Sequence, residues 1–174
     1  MSASAEDTQP TPAARLTPWT GGPLPKFTLD DLSAMPRDLT AFGDRIVLLH
    51  FFATWCEPCV RELTSLQRLR RAVPEGRLAI VAVDVAEVDL RVRAFFQKLP
   101  VDFPVLLDRD RAITKAWQVS ALPSTFMLDA TLAPRLFVEG DLDWTGSETI
   151  AALQRLDPAI TLHPAAITAA TTKR

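Results

Sequence analysis

The stretch Ile46-Val-Leu-Leu-His-Phe-Phe-Ala-Thr-Trp-Cys-Glu-Pro-Cys59 holds the chain's only two cysteines, placed between a strand signal and a helix signal. Ile46 to Ala53, rich in Val, Ile, Leu and Phe, reads as a buried central strand. From Val60 to Leu69 apolar groups then recur at helical spacing. The cysteines therefore open a helix. There, unpaired backbone N–H groups and the positive end of the helix dipole favour a thiolate and lower the pKa of the first sulfur, Cys56. Cys59 lies one turn inward, placed to attack a mixed disulfide formed at Cys56.

Other uses of such a pair fit less well. A structural zinc site needs more ligands than two thiols, and the chain adds no third cysteine and only His50 and His163. A loop this short constrains the unfolded chain only modestly, so a bridge across it is a poor staple. Cys-x-x-Cys at a strand-to-helix turn is instead the arrangement of reversible thiol-disulfide exchange.

Composition sets the frame. With 174 residues, 48% of them hydrophobic, the chain can bury the core of one compact domain. Its 19 basic and 21 acidic residues are interleaved and leave a formal net charge of −2. That balance supplies neither a basic stripe for nucleic acid nor an acidic solvating tail. The longest apolar run, Ile46 to Ala53, is too short to span a membrane and contains His50. No resident organic cofactor or metal is implied.

The ends read as appendages. Residues 1–21 carry Pro10, Pro12 and Pro18 among Ala, Ser and Thr, which favours a flexible arm. Residues 157–174 lack an apolar period and read as a flexible tail, with His163 in solvent. The domain then occupies residues 22–156. Ala3-Ser4-Ala5 has the small-x-small form of a cleavage site, which fits a chain numbered after an export signal or anchor.

Inside the domain the order is strand, helix, strand, helix, strand, helix, hairpin, helix. Lys26 to Leu29 and Leu39 to Phe42 form a strand pair around a turn near Pro36. Arg77 to Val85 is an apolar strand. Val88, Val92, Phe95, Phe96 and Leu99 mark an amphipathic helix that Pro100 stops. Phe103 to Leu107 is a further strand, and Asp110 caps a helix carrying Ile113 and Trp117. Ser124 to Asp129 and Arg135 to Glu139 make a hairpin, and Gly146 to Leu156 the last helix. Such alternation predicts an α/β fold with a mixed sheet and helices on both faces.

Phe51-Phe-Ala-Thr-Trp-Cys-Glu-Pro-Cys59 with Glu62, and the later Val119-Ser-Ala-Leu-Pro-Ser-Thr-Phe-Met-Leu-Asp129, resemble the thioredoxin superfamily. More narrowly, the chain looks like the bacterial TlpA/ResA/CcmG group. The N-terminal strand pair, the Glu-Pro dipeptide between the cysteines and the helix-strand unit inserted at about residues 87–108 carry that likeness. The resemblance implies the thioredoxin fold and a reductase of specific protein disulfides, including those of apocytochrome c maturation. It also implies a periplasmic or otherwise extracytoplasmic, membrane-tethered setting, an upstream thiol electron donor such as a membrane reductase, and a monomer.

Site roles follow from the same likeness. Cys56 is the attacking and Cys59 the resolving sulfur, and Trp55 covers the pair. Pro123 matches the superfamily's cis-proline, which would turn the backbone edge of Leu122 toward an extended client. Glu62, one helical turn beyond Cys59, matches an acid kept beneath the redox pair, where partial burial would raise its pKa and let it exchange protons with a cysteine. A surface ion pair with Arg61 or Arg68 is the plainer reading of Glu62.

Two departures stand out. Thr64 occupies a place where many relatives carry a helix-kinking proline. His50 stands where relatives carry a buried acid or amide; it is either a hydrogen-bonded core histidine or a second titrating group in a proton relay. Against a peroxiredoxin, Ala53 stands where the signature threonine is needed. Against a DsbA-like oxidant, Glu57-Pro58 replaces Pro-His. A copper-handling protein binding Cu(I) through both thiols is the remaining alternative.

Overall fold

The computed structural model describes residues 13–162 and Ile167. In chain order the strands are β1 (Thr17–Pro18), β2 (Thr28–Asp30), β3 (Pro36–Asp38), β4 (Ile46–Phe52), β5 (Leu78–Val85), β6 (Val105–Asp108), β7 (Ser124–Leu128) and β8 (Pro134–Glu139). The α-helices are α1 (Glu57–Ala72), α2 (Asp89–Lys98), α3 (Ala112–Ala116) and α4 (Ser147–Leu156). The main sheet has six strands in the order β1-β8-β7-β4-β5-β6. β4 runs parallel to β5, and β5 to β6, while β7 and β8 run antiparallel beside β4. β4 is central and buried along its whole length, which explains its continuous apolar run.

Side-chain alternation along β4 divides the core. Leu48, His50 and Phe52 face one side, where Leu63, Leu66 and Leu69 of α1, Val92 and Phe96 of α2, and Leu153 of α4 pack. Val47, Leu49 and Phe51 face the other, against Phe27, Leu39, Trp117 and Phe126, with Ile113 of α3 alongside. The mixed sheet thus carries helices on both faces. Four side chains interlock on the second face: Phe126 meets Trp19, Phe51 and Trp117 edge-on at ring distances of 5.1, 6.1 and 5.1 Å.

Several boundaries differ from those the sequence predicts. Leu39–Phe42 is a 3-10 helix rather than a strand, because the Asp38 carboxylate accepts from the Thr40 N–H at 2.8 Å and from its hydroxyl at 2.6 Å. That local bonding competes with a ladder and ends β3. Pro36 lies in β3, opposite Asp30, and the turn falls earlier, where Asp31 Oδ1 accepts from Ser33 and Met35 N–H. A proline is tolerated there because a two-stranded ribbon has free edges.

The appendages are shorter than expected. Thr17 and Pro18 pair with Phe137 and Leu136 as an edge strand, and Trp19 packs on Phe126 and Phe137. Residues 13–21 are therefore part of the fold and not an arm. At the other end Ile160 is fully buried and Leu162 packs against the core, so the unit continues past 156. His163 lies outside the described residues. Among the described residues no helix is long and apolar enough to cross a membrane.

Candidate active site

β4 delivers the chain to the redox pair through a tight turn in which Cys56 N–H donates to Ala53 C=O at 3.2 Å. Cys56 is the N-cap of α1, Glu57 and Pro58 fill the first turn, and the Cys59 N–H points at Cys56 Sγ at 3.4 Å. Pro is suited to that first turn because its missing N–H would have no helical partner there. The N-cap position aims free backbone donors at the sulfur and so favours its thiolate. The two sulfurs are joined as a disulfide. Cys56 keeps 6% of its surface exposed and Cys59 none, so an incoming group meets Cys56 first.

Trp55 does not cover the pair as a packed lid: 69% of it is exposed. It lines a groove of about 380 Å³ together with Val85, Ala86, Arg111, Ser120, Ala121 and Leu122. The Leu122–Pro123 bond is cis, and Leu122 lies in the wall of that groove. Trp55, Leu122 and the exposed flank of the cysteine turn are thus brought to one end of the sheet.

Beneath the pair lies a polar cluster inside the core. Glu62 is buried, and its Oε1 accepts from Trp144 Nε1 and, at 3.5 Å, from the Thr125 hydroxyl. His50 Nδ1 lies 2.9 Å from Thr125 Oγ1 and 3.9 Å from Glu62 Oε1. Burial pushes the Glu62 carboxyl up to about 8, although the Trp144 hydrogen bond pulls the other way. The surface ion-pair reading of Glu62 is overturned: Arg61 instead reaches Glu57 at 3.7 Å and Asp141 at 3.3 Å.

His50 is wholly enclosed and stacks on Phe52, and burial lowers its imidazole to about 3. It therefore stays neutral throughout the working range. This environment favours the hydrogen-bonded core histidine of the two readings, and its position lets it orient Glu62 through Thr125. Among the described residues no group of three or more His, Cys, Asp or Glu is arranged to hold a metal.

Sequence reasoning missed Thr125, Trp144, Asp84 and Glu87. Thr125 is the register partner of His50 across β4 and β7, so only the strand pairing reveals it. Trp144 comes from the connection before α4, 82 residues from Glu62. Glu87 takes the Thr54 N–H and hydroxyl on its two carboxylate oxygens, at the turn just before Trp55.

Comparison with known proteins supplies the context. ResA of Geobacillus thermodenitrificans, a thiol-disulfide oxidoreductase, is 32% identical over 122 residues, covering 70% of each chain. ResA of Bacillus subtilis is 36% identical over 109 residues, covering 63% of this chain and 61% of that one. The solved structure of a thiol:disulfide interchange protein of the thioredoxin family from Chlorobium tepidum superposes with a TM-score of 0.66 at 19% identity, over 75% of this chain and 95% of its own. That structural likeness speaks for the fold. The AhpC/TSA family model matches residues 20–133, across the redox turn and the cis-proline. Cysteines that open a helix above a buried acid are what such exchange demands, and the chain belongs to the AhpC/TSA family, as a ResA-like thiol-disulfide oxidoreductase of the thioredoxin superfamily.

Proposed function

We propose that the protein reduces specific protein disulfides, with Cys56 as nucleophile and Cys59 as resolving sulfur. The observation that carries this reading is the graded exposure of the pair, 6% against none, above a buried acid. The Cys56 thiolate attacks a client disulfide and one client sulfur leaves as a thiolate. Cys59, as its thiolate, then attacks the mixed disulfide, expels the second client sulfur as a thiolate and leaves the pair oxidised. The client gains two electrons, and the proton of Cys59 passes to Glu62 when that acid is ionised, a form that its raised pKa of about 8 makes the minor one at neutral pH. Trp55, Leu122 and Pro123 form the wall against which an extended client segment is held.

What surrounds Cys56 supports reduction as the direction of transfer. A strong oxidant needs a strongly stabilised thiolate. Here the flanking ionisable group is Glu57, His50 is neutral, and Arg61 is engaged by Glu57 and Asp141. The reduced state therefore gains only helix-terminus stabilisation, which favours a reducing pair. An extracytoplasmic setting, clients of the apocytochrome c type and a membrane thiol reductase as donor complete the reading; the resemblance to the TlpA/ResA/CcmG group supports them. Equilibration with glutathione or dithiothreitol measures the potential. A value near that of thioredoxin, about −270 mV, supports a reductase, and one near that of DsbA, about −120 mV, overturns it.

A further inference from the structure

A second pair of carboxyl groups sits beside the redox turn, outside the machinery described above. Asp84 is the last residue but one of β5, opposite Phe52 of β4, and only 1% of it is exposed. Its carboxyl lies close enough to that of Glu87 for the two to perturb each other, and its buried Oδ2 has no hydrogen-bond partner. Between them Ala86 takes a positive φ of 61° and donates its N–H to Asp108 C=O, which folds the chain back so that Glu87 reaches the turn after β4. There both Glu87 oxygens are occupied: one by Thr54 N–H, the other by the Thr54 hydroxyl at 2.6 Å.

Two carboxyl groups can hydrogen-bond to each other only if they share one proton. Burial and the neighbouring Glu87 push Asp84 up to about 9, whereas Glu87 is held below the usual carboxylate range by its donors, Asp84 and Thr54, despite its partial burial. The other charges facing the pair come from α2: Asp89, which raises Asp84, and Arg91, which favours ionised Glu87. The proton therefore resides on Asp84. Glu87, as a carboxylate, accepts twice from Thr54, and the protonated Asp84 beside it can donate to it.

We infer that Asp84 is a positioning residue for the redox turn: as a neutral acid it orients Glu87, and Glu87 clamps Thr54 and thereby fixes the presentation of Trp55 and Cys56. This deepens the reading of Cys56 as nucleophile and rests on it for its kinetic consequence. Ionisation of Asp84 would set two negative carboxylates side by side and release the clamp.

The test uses the full chain and two readouts. In the oxidised protein, where neither cysteine titrates, the Thr54 amide resonance is followed from acid to alkaline pH. Wild type should show a transition centred near 9. Asp84→Asn, whose amide donates to Glu87 permanently, should keep the neutral-pH shift and lose that transition. In the reduced protein, alkylation of Cys56 near pH 7 should be about tenfold slower in Asp84→Ala, on the scale of a small misplacement of a reacting group, and near wild type in Asp84→Asn. An alkaline transition that survives in Asp84→Asn, or Asn and Ala variants that are equally slow, would overturn the inference. The amide titration is independent of which sulfur attacks, so failure of the nucleophile assignment would show in the alkylation data alone.

Discussion

Glu62 shows most clearly how one side chain joins stability to chemistry. Its folded pKa of about 8 stands above the ordinary 4.5, so the folded state prefers the protonated form, and stability is lost as pH rises from 4.5 through 8. Glu62→Gln removes that loss while Trp144 can still donate to an amide oxygen. Unfolding measurements at pH 7 should therefore find the variant more stable, by at most on the order of 3 kcal/mol, with the gain gone at pH 4. The same variant should exchange thiols more slowly, because the resolving sulfur has lost its proton acceptor. Rates equal to wild type across the neutral range would leave Glu62 with a structural part only. The sulfurs themselves are separable: Cys59→Ser should trap covalent client adducts through Cys56, and Cys56→Ser should trap few. Equal trapping would undo the assignment that exposure supports.

At the scale of elements, α3 illustrates a helix held by its surroundings. It spans only Ala112–Ala116, too short to persist by propensity. Its N-cap is Arg111, in the left-handed region and without a side-chain cap bond, and not Asp110 as the sequence predicts; Asp110, one residue earlier, accepts from Ala112 N–H at 3.0 Å. The deeper anchor is Asp108 at the end of β6. It is fully buried and accepts from Ile113 N–H at 3.3 Å, from Thr114 N–H at 2.7 Å and from the Thr114 hydroxyl. Asp108→Ala should cost about 2–3 kcal/mol in chemical denaturation, combining a lost cap with buried donors left unpaired, and Asp108→Asn should recover part of it. A cost below about 0.5 kcal/mol would mean that water replaces the carboxylate. Since α3 leads through Trp117 to the groove wall at Ser120–Leu122, the Ala variant should also weaken client capture.

For the whole molecule, the buried acids and the buried histidine set an acidic stability optimum. Between 6.5 and 8 the native state holds protons on Glu62 and Asp84 that the unfolded chain releases. Stability should fall there by about 2–3 kcal/mol per pH unit, as two linked protons dictate. Below 6.5 the unfolded state gains a proton on His50 that the native imidazole refuses, which reduces the slope without reversing it. Below about 4 the lowered carboxylates Asp31, Asp89, Asp102, Asp129 and Asp143 begin to lose their contribution. Thermal melts should thus show a higher Tm at pH 6 than at pH 8, and a flat profile would contradict the burial of these groups.

The redox turn and the alternation of strands and helices were legible in the sequence because each rests on local grammar: an apolar run, a helical period, a Cys-x-x-Cys spacing; the cis-proline loop was legible only through the resemblance to the thioredoxin superfamily. Glu62 could be placed too, since three residues along a helix is one turn. Local grammar failed where side chains override it. Asp38 bonded to Thr40 turned a β-like Leu39–Phe42 into a 3-10 helix, and Trp19 found an aromatic pocket that drew a proline-rich segment into the sheet. The neutrality of His50, the Thr125–Glu62–Trp144 contacts and the Asp84–Glu87 clamp on Thr54 belong to tertiary structure alone. They join residues 33 to 82 positions apart, and their ionisation depends on burial, which only the assembled core creates.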